Sequence, residues 1–328
     1  MRLLGRILAG LLLAIMVVAV AGWFILRRAD IPYDDLEGKY AAQASQFMDL
    51  PGGYHVHYRD EGRKDGPVIV LVHGFGASLQ AWEPWVARLG TDYRIITLDL
   101  PGHGLTRAPK TLDPASVDFV SIVDQVTARL GVTKFVLGGN SMGGGVAWNY
   151  ALVHPDRLQG LILVDAAGWD HPQGKNGVAL FNLLKNPIAR FLLKDLDNKA
   201  LIKQGLYAAY IDPRLVTPEL VDRYADLSRG PGHRDILLGM QSGKRSPATP
   251  ERLAAIQVPT LVLHGRADSV IPFSDGERFA RAIPHATLIG YDGVGHVPME
   301  QIPDRSAADV CAWLSDEVWP EKGSCGLR

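Results

Sequence analysis

The chain alternates short apolar runs with longer amphipathic segments. Runs rich in branched aliphatic residues predict strands over 68–72, 94–98, 135–137, 161–164, 260–263 and 286–291. Segments with helical periodicity lie at 117–130, 146–152, 275–282 and 305–314. Ahead of them, a glycine turn between 47–50 and 54–59 predicts a β-hairpin. The first five of these strand runs are apolar on both faces, and the alternation of strands and helices predicts an α/β fold with a mostly parallel central sheet and helices on both faces.

The alternation stops between residues 169 and 249. Helical patches at 179–184, 188–193, 201–211 and 220–227 are separated there by prolines and by Gly230-Pro231-Gly232. We interpret 169–249 as a helical cap inserted into a core made of 45–168 and 250–318, with 319–328 as a C-terminal tail. Such an insertion lies above the carboxyl ends of the strands, where ligand sites of α/β folds form.

The first 28 residues differ from the rest. The run 7–26 carries no charge and is flanked by arginines. At about 1.5 Å per residue it is roughly 30 Å long, the thickness of a bilayer core. It predicts a single-pass anchor over 1–28, in a bacterial inner membrane, followed by a polar tether over 29–44. A cleaved signal peptide ending at Ala19-Val20-Ala21 is the alternative, and the apolar residues beyond that point favour the anchor.

Composition narrows the choice of partner. The 328 residues include 34 basic and 35 acidic residues, which gives a formal net charge of -1. No block of like charge lies outside the termini, so the sequence indicates a small neutral substrate and no nucleic-acid partner. No cofactor and no metal are expected.

One motif carries nucleophile chemistry. Gly139-Asn140-Ser141-Met142-Gly143 has the form G-x-S-x-G and lies between a predicted strand and a predicted helix. A serine in that tight turn has its hydroxyl exposed, and the flanking glycines allow the close backbone packing that the turn requires. Ser141 is therefore the predicted nucleophile.

A serine hydroxyl needs a base and an orienting acid. Asp268 follows the strand 260–263, and His296 follows the strand 286–291, in the order serine, acid, histidine that this arrangement requires. Asp165 is an alternative acid, because it directly follows the strand 161–164. We predict Asp268 as the acid and His296 as the base, and interpret Asp165 as a strand-end cap.

Hydrolysis also needs hydrogen-bond donors for an oxyanion. His73-Gly74-Phe75-Gly76 follows the strand 68–72 and offers the Phe75 amide. The Met142 amide is the second predicted donor, at the start of the helix after Ser141. His73 and Gly74 are predicted to support this loop rather than to transfer protons.

These motifs, together with Asp99-Leu100-Pro101-Gly102-His103-Gly104 and Gly295-His296-Val297-Pro298-Met299-Glu300, resemble the α/β-hydrolase superfamily over about residues 45–318. They most resemble its bacterial lipase and membrane-anchored monoacylglycerol lipase branch. The resemblance implies a serine esterase that acts on lipid-like esters through an acyl-enzyme.

Two other functions remain open. One is a C–C bond hydrolase of ring-fission products with the same triad, since such enzymes carry a similar Gly-Asn-Ser-Met-Gly-Gly segment. The other is a non-catalytic, membrane-tethered binding protein.

Overall fold

The computed structural model describes residues 2–171, 186, 188, 194–240, 246–322 and 326. Side chains 2–5, 8 and 9 lie outside this description. The predicted cap patch 179–184 and most of the patch 188–193 also fall outside the described residues.

The eight described strands form one sheet. They are β1 (Ser45–Leu50), β2 (Tyr54–Gly62), β3 (Val68–Val72), β4 (Arg94–Leu98), β5 (Phe135–Asn140), β6 (Leu158–Val164), β7 (Thr260–Gly265) and β8 (Ala286–Tyr291). Their order is β1-β2-β4-β3-β5-β6-β7-β8. The predicted hairpin β1–β2 is antiparallel, and β2 pairs antiparallel with β4. From β4 to β8 every pair is parallel, which confirms the predicted mostly parallel sheet.

Helices connect and flank the strands. They are α1 (Arg2–Leu26), α2 (Tyr33–Tyr40), α3 (Glu83–Leu89), α4 (Phe119–Arg129), α5 (Met142–Val153), α6 (Lys199–Tyr210), α7 (Pro218–Leu227), α8 (His233–Gly239), α9 (Pro250–Leu253), α10 (Phe273–Ala282), α11 (Pro298–Gln301) and α12 (Pro303–Trp313). Of these, α2, α3, α8, α9 and α11 were not predicted. Their sequences are short and carry few periodic apolar positions, so local patterning gives little signal.

Strand β3 shows how the sheet is covered. Ile69 and Leu71 belong to one buried cluster, and Val70 and Val72 belong to another. Successive side chains of a strand point to opposite faces, so each cluster fills one face. Trp85 of α3 packs in the first cluster and Trp148 of α5 in the second. The predicted helices on both faces are therefore confirmed.

The helices α6, α7 and α8 lie within the predicted cap. Leu206, Tyr210 and Val221 from the first two join the cluster on the Ile69 face. The division into core, cap and tail stays a prediction.

The segment that follows α1 contacts residues of the predicted cap. Arg28 N donates to Asp195 O at 2.7 Å, and the Arg234 guanidinium pairs with Asp30 at 2.6 Å. In α2, Leu36 is only 1% exposed and packs with Leu105 and Leu227. Residues 29–44, predicted as a tether, therefore contain a helix with a buried leucine.

The N-terminal anchor needs a correction. Crossing a bilayer takes about 20 consecutive apolar residues in a helix, and within the described residues no helix combines the length and the apolarity that this requires. On that finding the predicted single-pass anchor over 1–28 is wrong, and so is the inner-membrane localisation that depended on it.

Candidate active site

Ser141 occupies the turn between β5 and α5. Its backbone φ is +53°, which non-glycine residues rarely adopt. A Cβ on Gly139 would lie 2.2 Å from the Gly143 carbonyl, and one on Gly143 would lie 2.1 Å from the Val72 oxygen. The turn therefore closes only because both flanking positions are glycine.

The predicted acid, Asp268, and the predicted base, His296, are in direct contact. His296 Nδ1 lies 2.7 Å from Asp268 Oδ2, and both side chains are buried. Asp268 Oδ1 accepts hydrogen bonds from the Val270 and Ile271 amides at 2.7 and 3.1 Å. Burial raises the pKa of Asp268, but the His296 hydrogen bond and charge and the two amides outweigh it and lower that pKa below its usual value. Asp268 is therefore a carboxylate at neutral pH and holds Nδ1–H of the imidazole.

The loop that carries His296 is attached to the turn that carries Ser141. Asn140 Nδ2 donates to His296 O at 2.9 Å, and His296 N donates to Ala209 O, at the end of α6, at 2.7 Å. In the described part of the chain no hydrogen bond joins the Ser141 hydroxyl to the His296 ring. Such bonds are often long before substrate binds. Asn140 was not predicted as a residue of the site, although it lies in the G-x-S-x-G segment.

The loop after β3 lies against the same turn. A Cβ on Gly74 would be 2.9 Å from Asn140 Oδ1 and 3.3 Å from Ser141 Cβ, so this approach needs a glycine. His73 Nδ1 donates to Gly74 O at 2.7 Å, and its Nε2 accepts from Leu100 N at 3.0 Å. Burial lowers the pKa of His73. A neutral imidazole therefore joins the loop to the segment after β4.

That segment is fixed by Asp99, which is fully buried. Its carboxylate accepts from the Leu79 and Leu105 amides at 2.7 and 2.8 Å and lies 2.6 Å from His57 Nδ1. The His57 Nε2 atom is 2.8 Å from the Ser45 hydroxyl. The segment after β4 that donates to His73 is thus held by buried polar contacts, which run from Asp99 through His57 in β2 to Ser45 in β1.

Another largely buried carboxyl group, that of Glu300, follows His296 along the chain. Glu300 in α11 lies 3.8 Å from the Arg223 guanidinium of α7, and its side chain is 10% exposed. Burial raises the pKa of Glu300 to about 7, against the opposing effect of Arg223. Arg223 of the predicted cap therefore lies beside a carboxyl group of α11 whose pKa is near neutral pH.

Comparison with known proteins assigns the family. The model of the alpha/beta hydrolase fold family matches residues 67–302, more than half of the chain. The chain is an α/β hydrolase. That result confirms the resemblance drawn from its motifs.

Known relatives of this α/β hydrolase catalyse more than one reaction. A 2-hydroxy-6-oxo-6-phenylhexa-2,4-dienoate hydrolase of Burkholderia cepacia is 30% identical over 252 residues, covering 74% of this chain and 85% of the relative. Among solved structures, an esterase from a Rhodococcus species is 27% identical, with a TM-score of 0.68 over 84% of this chain and 100% of that one. An esterase from Thermogutta terrifontis is also 27% identical, with a TM-score of 0.67 and the same coverage. The hydrolase class is shared, and the reaction differs among the relatives.

The two acids that the α/β-hydrolase sequence offered occupy different positions. Asp268 contacts the His296 imidazole, whereas among the described residues no hydrogen bond joins Asp165 to that ring. Asp165 Oδ1 accepts instead from the Gly265 amide at 2.9 Å. Asp165, interpreted from the sequence as a strand-end cap, is fully buried, with a φ of +45°. In the sequence, its position directly after a buried strand was the only feature that marked Asp165 as a candidate acid.

Proposed function

We propose that this α/β hydrolase is a serine-dependent carboxylic ester hydrolase. The observation that carries the proposal is the contact between His296 and Asp268 on a loop that Asn140 joins to the Ser141 turn. A nucleophile, a base and an orienting acid, which follow β5, β8 and β7 of one sheet, form the set that acyl transfer requires.

In the proposed reaction the Ser141 hydroxyl attacks the ester carbonyl, and His296 Nε2 takes its proton. Asp268 keeps Nδ1 protonated and stabilises the imidazolium that forms. The amides of Phe75 and Met142 donate to the oxyanion, and removal of one such donor typically costs about 3–4 kcal/mol of barrier lowering. The protonated His296 then returns its proton to the departing alcohol. Water attacks the acyl-Ser141 intermediate by the same route and releases the acid.

The proposed substrate is a lipid-like ester, such as a monoacylglycerol or a medium-chain acyl ester. Two points support it: esterases are among the relatives at 27% identity, and the chain's net charge of -1 provides no strong field for an ionic substrate. The Phe75 ring, which is 49% exposed beside the Ser141 turn, offers apolar surface to an acyl chain. Each methylene buried contributes about 0.8 kcal/mol. The predicted cap over 169–249 would cover that chain.

A C–C bond hydrolase is the second candidate. The observation that favours it is the identity of 30% to the Burkholderia cepacia dienoate hydrolase and to a second dienoate-class hydrolase of Comamonas testosteroni. The same serine, histidine and aspartate would serve that reaction, with a ketone carbonyl in place of the ester.

One assay separates the two. Purified full-length protein is given p-nitrophenyl esters of increasing chain length, a monoacylglycerol and 2-hydroxy-6-oxo-6-phenylhexa-2,4-dienoate. We expect ester hydrolysis to exceed dienoate cleavage, and Ser141→Ala to reduce it by at least about 10³-fold. Ser116→Ala is the matched control, because Ser116 is exposed and its hydroxyl donates to the Asp113 carbonyl. Faster cleavage of the dienoate would favour the second candidate, and full activity of Ser141→Ala would refute both.

A further inference from the structure

A second carboxyl group lies close to the Asp268 carboxylate, and the proposed reaction does not use it. Asp165 directly follows β6 and is fully buried. Its Oδ1 accepts a hydrogen bond from the Gly265 amide at 2.9 Å. Its Oδ2 is buried as well, and among the described groups it has no hydrogen-bond partner. A buried polar atom in this position requires an explanation, because native structures leave few of them unpaired.

The backbone at Asp165 is also costly. Its φ of +45° lies in the left-handed region, which a residue with a Cβ rarely adopts. Aspartate and asparagine tolerate this conformation better than other non-glycine residues. The fold thus holds this residue in a strained conformation beside the acid that orients His296, which is where strain is most often found.

Asp165, His264 and Asp268 form a compact group. One side-chain atom from each lies within 4.8 Å of the others, and His264 Nε2 is 3.6 Å from an oxygen of each carboxyl group. Such a group resembles a metal site, but His264 Nε2 lies 3.0 Å from the Ile271 carbonyl oxygen. A carbonyl oxygen only accepts, so Nε2 carries a hydrogen and has no lone pair for a metal.

We propose that Asp165 is a protonated positioning residue, whose Oδ2–H donates a hydrogen bond to the Asp268 carboxylate and keeps that carboxylate aligned with His296. The inference rests on the proposed function for its effect on catalysis. Burial raises the pKa of Asp165 well above its usual value, and the negative charge of Asp268 raises it further. When two carboxyl groups share one buried site, the pKa of one is strongly raised, so the pair holds one proton at neutral pH. The amides at Asp268 and the contact with His296 place the negative charge on Asp268.

The other ionisable groups near Asp165 agree with this assignment. Burial lowers the pKa of His264, so its ring is neutral. Burial also raises the pKa of Tyr291, whose hydroxyl donates to Asp309 at 2.8 Å. His296 directs its Nδ1–H at Asp268. None of these neighbours supplies a fixed positive charge that would stabilise a second carboxylate.

Infrared spectroscopy of the full-length protein tests the proton directly. We expect a carboxylic-acid carbonyl band at neutral pH that wild type has and Asp165→Asn lacks, so that the band remains in the difference spectrum between the two. The difference removes the contribution of other protonated acids such as Glu300. This readout needs no substrate, so it decides the protonation of Asp165 even if the proposed ester hydrolysis fails. Absence of the band from the difference spectrum would overturn the inference while leaving the proposed function intact.

Two variants test the positioning. Asp165→Gly suits the backbone conformation but removes the donor, and we expect kcat to fall about 10- to 100-fold with little change in KM, since a misaligned catalytic group costs about that much. Asp165→Asn keeps a donor and tolerates the conformation, and should recover most of the loss. The acidic limb of the kcat/KM profile should stay in place in Asp165→Asn, because a neutral group replaces a neutral group.

The opposite results are equally clear. If Asp165 were ionised, Asp165→Asn would remove a negative charge near the Asp268–His296 pair and move the acidic limb to lower pH by about 1 pKa unit or more. That shift would refute the inference. So would an Asp165→Asn variant as slow as a well-folded Asp165→Gly, because it would show that the donor plays no part.

Discussion

Glu300 is a residue at which a change of pH should alter the stability of the fold. It lies in α11, four residues after His296, with its carboxyl group between the core and Arg223 of the predicted cap. Burial raises its pKa to about 7 from the ordinary 4.5. At 1.36 kcal/mol per pKa unit, the gap corresponds to about 3 kcal/mol. This is an upper value, because 10% of the side chain is exposed.

The sign follows from the raised pKa. The folded state holds the Glu300 proton more tightly than the unfolded chain, so the contribution is fully present below pH 4.5 and is lost as pH rises to about 7. Glu300→Gln does not titrate. We expect the variant and the wild type to have similar free energies of unfolding near pH 5, and the variant to be more stable by about 2–3 kcal/mol at pH 8.

Urea denaturation at pH 5, 6, 7 and 8 measures this difference. Glu317→Gln is the matched control, because Glu317 is exposed, and its difference from wild type should not change with pH. If Glu300→Gln and wild type lost stability in parallel over this range, Glu300 would not be the buried acid described here.

Three further variants test the architecture around the site. Gly143→Ala should abolish folding or activity, because the added Cβ would lie 2.1 Å from a backbone oxygen. At Gly145 in the same helix the nearest atom would be 3.2 Å from the added Cβ, so Gly145→Ala should be tolerated. Expression level, circular dichroism and ester hydrolysis distinguish the two variants. Asp99→Asn should lower the free energy of unfolding by about 3 kcal/mol in denaturant melts, since it breaks a buried pair with His57, and an unchanged midpoint would contradict that role. Leu36→Ala should lower the free energy of unfolding by about 2–5 kcal/mol, while Leu201→Ala, at a side chain 71% exposed, should change the melting temperature little. Equal effects of the two substitutions would show that α2 is not part of the folded unit.

The local pattern of apolar residues was sufficient to predict where several strands of the sheet begin and end. The runs at 68–72, 94–98 and 286–291 match β3, β4 and β8 at both ends. In β3 and β4, consecutive β-branched and leucine side chains fit a strand that is buried on both faces. The Ser141 turn was also predictable, since glycine at both flanking positions is a steric requirement of the turn itself.

The order of the strands and the choice between acids came from tertiary structure. Asp165 and Asp268 both follow buried strands, so the sequence offered both, and only the packing of β8 beside β7 put His296 against Asp268. The same packing gave the two carboxyl groups opposite pKa shifts, since the amides of Val270 and Ile271 and the His296 ring favour charge on Asp268, while burial opposes it on Asp165. Strand formation depends on neighbours in the chain, whereas the charge of a buried acid depends on groups that folding brings from distant parts of it.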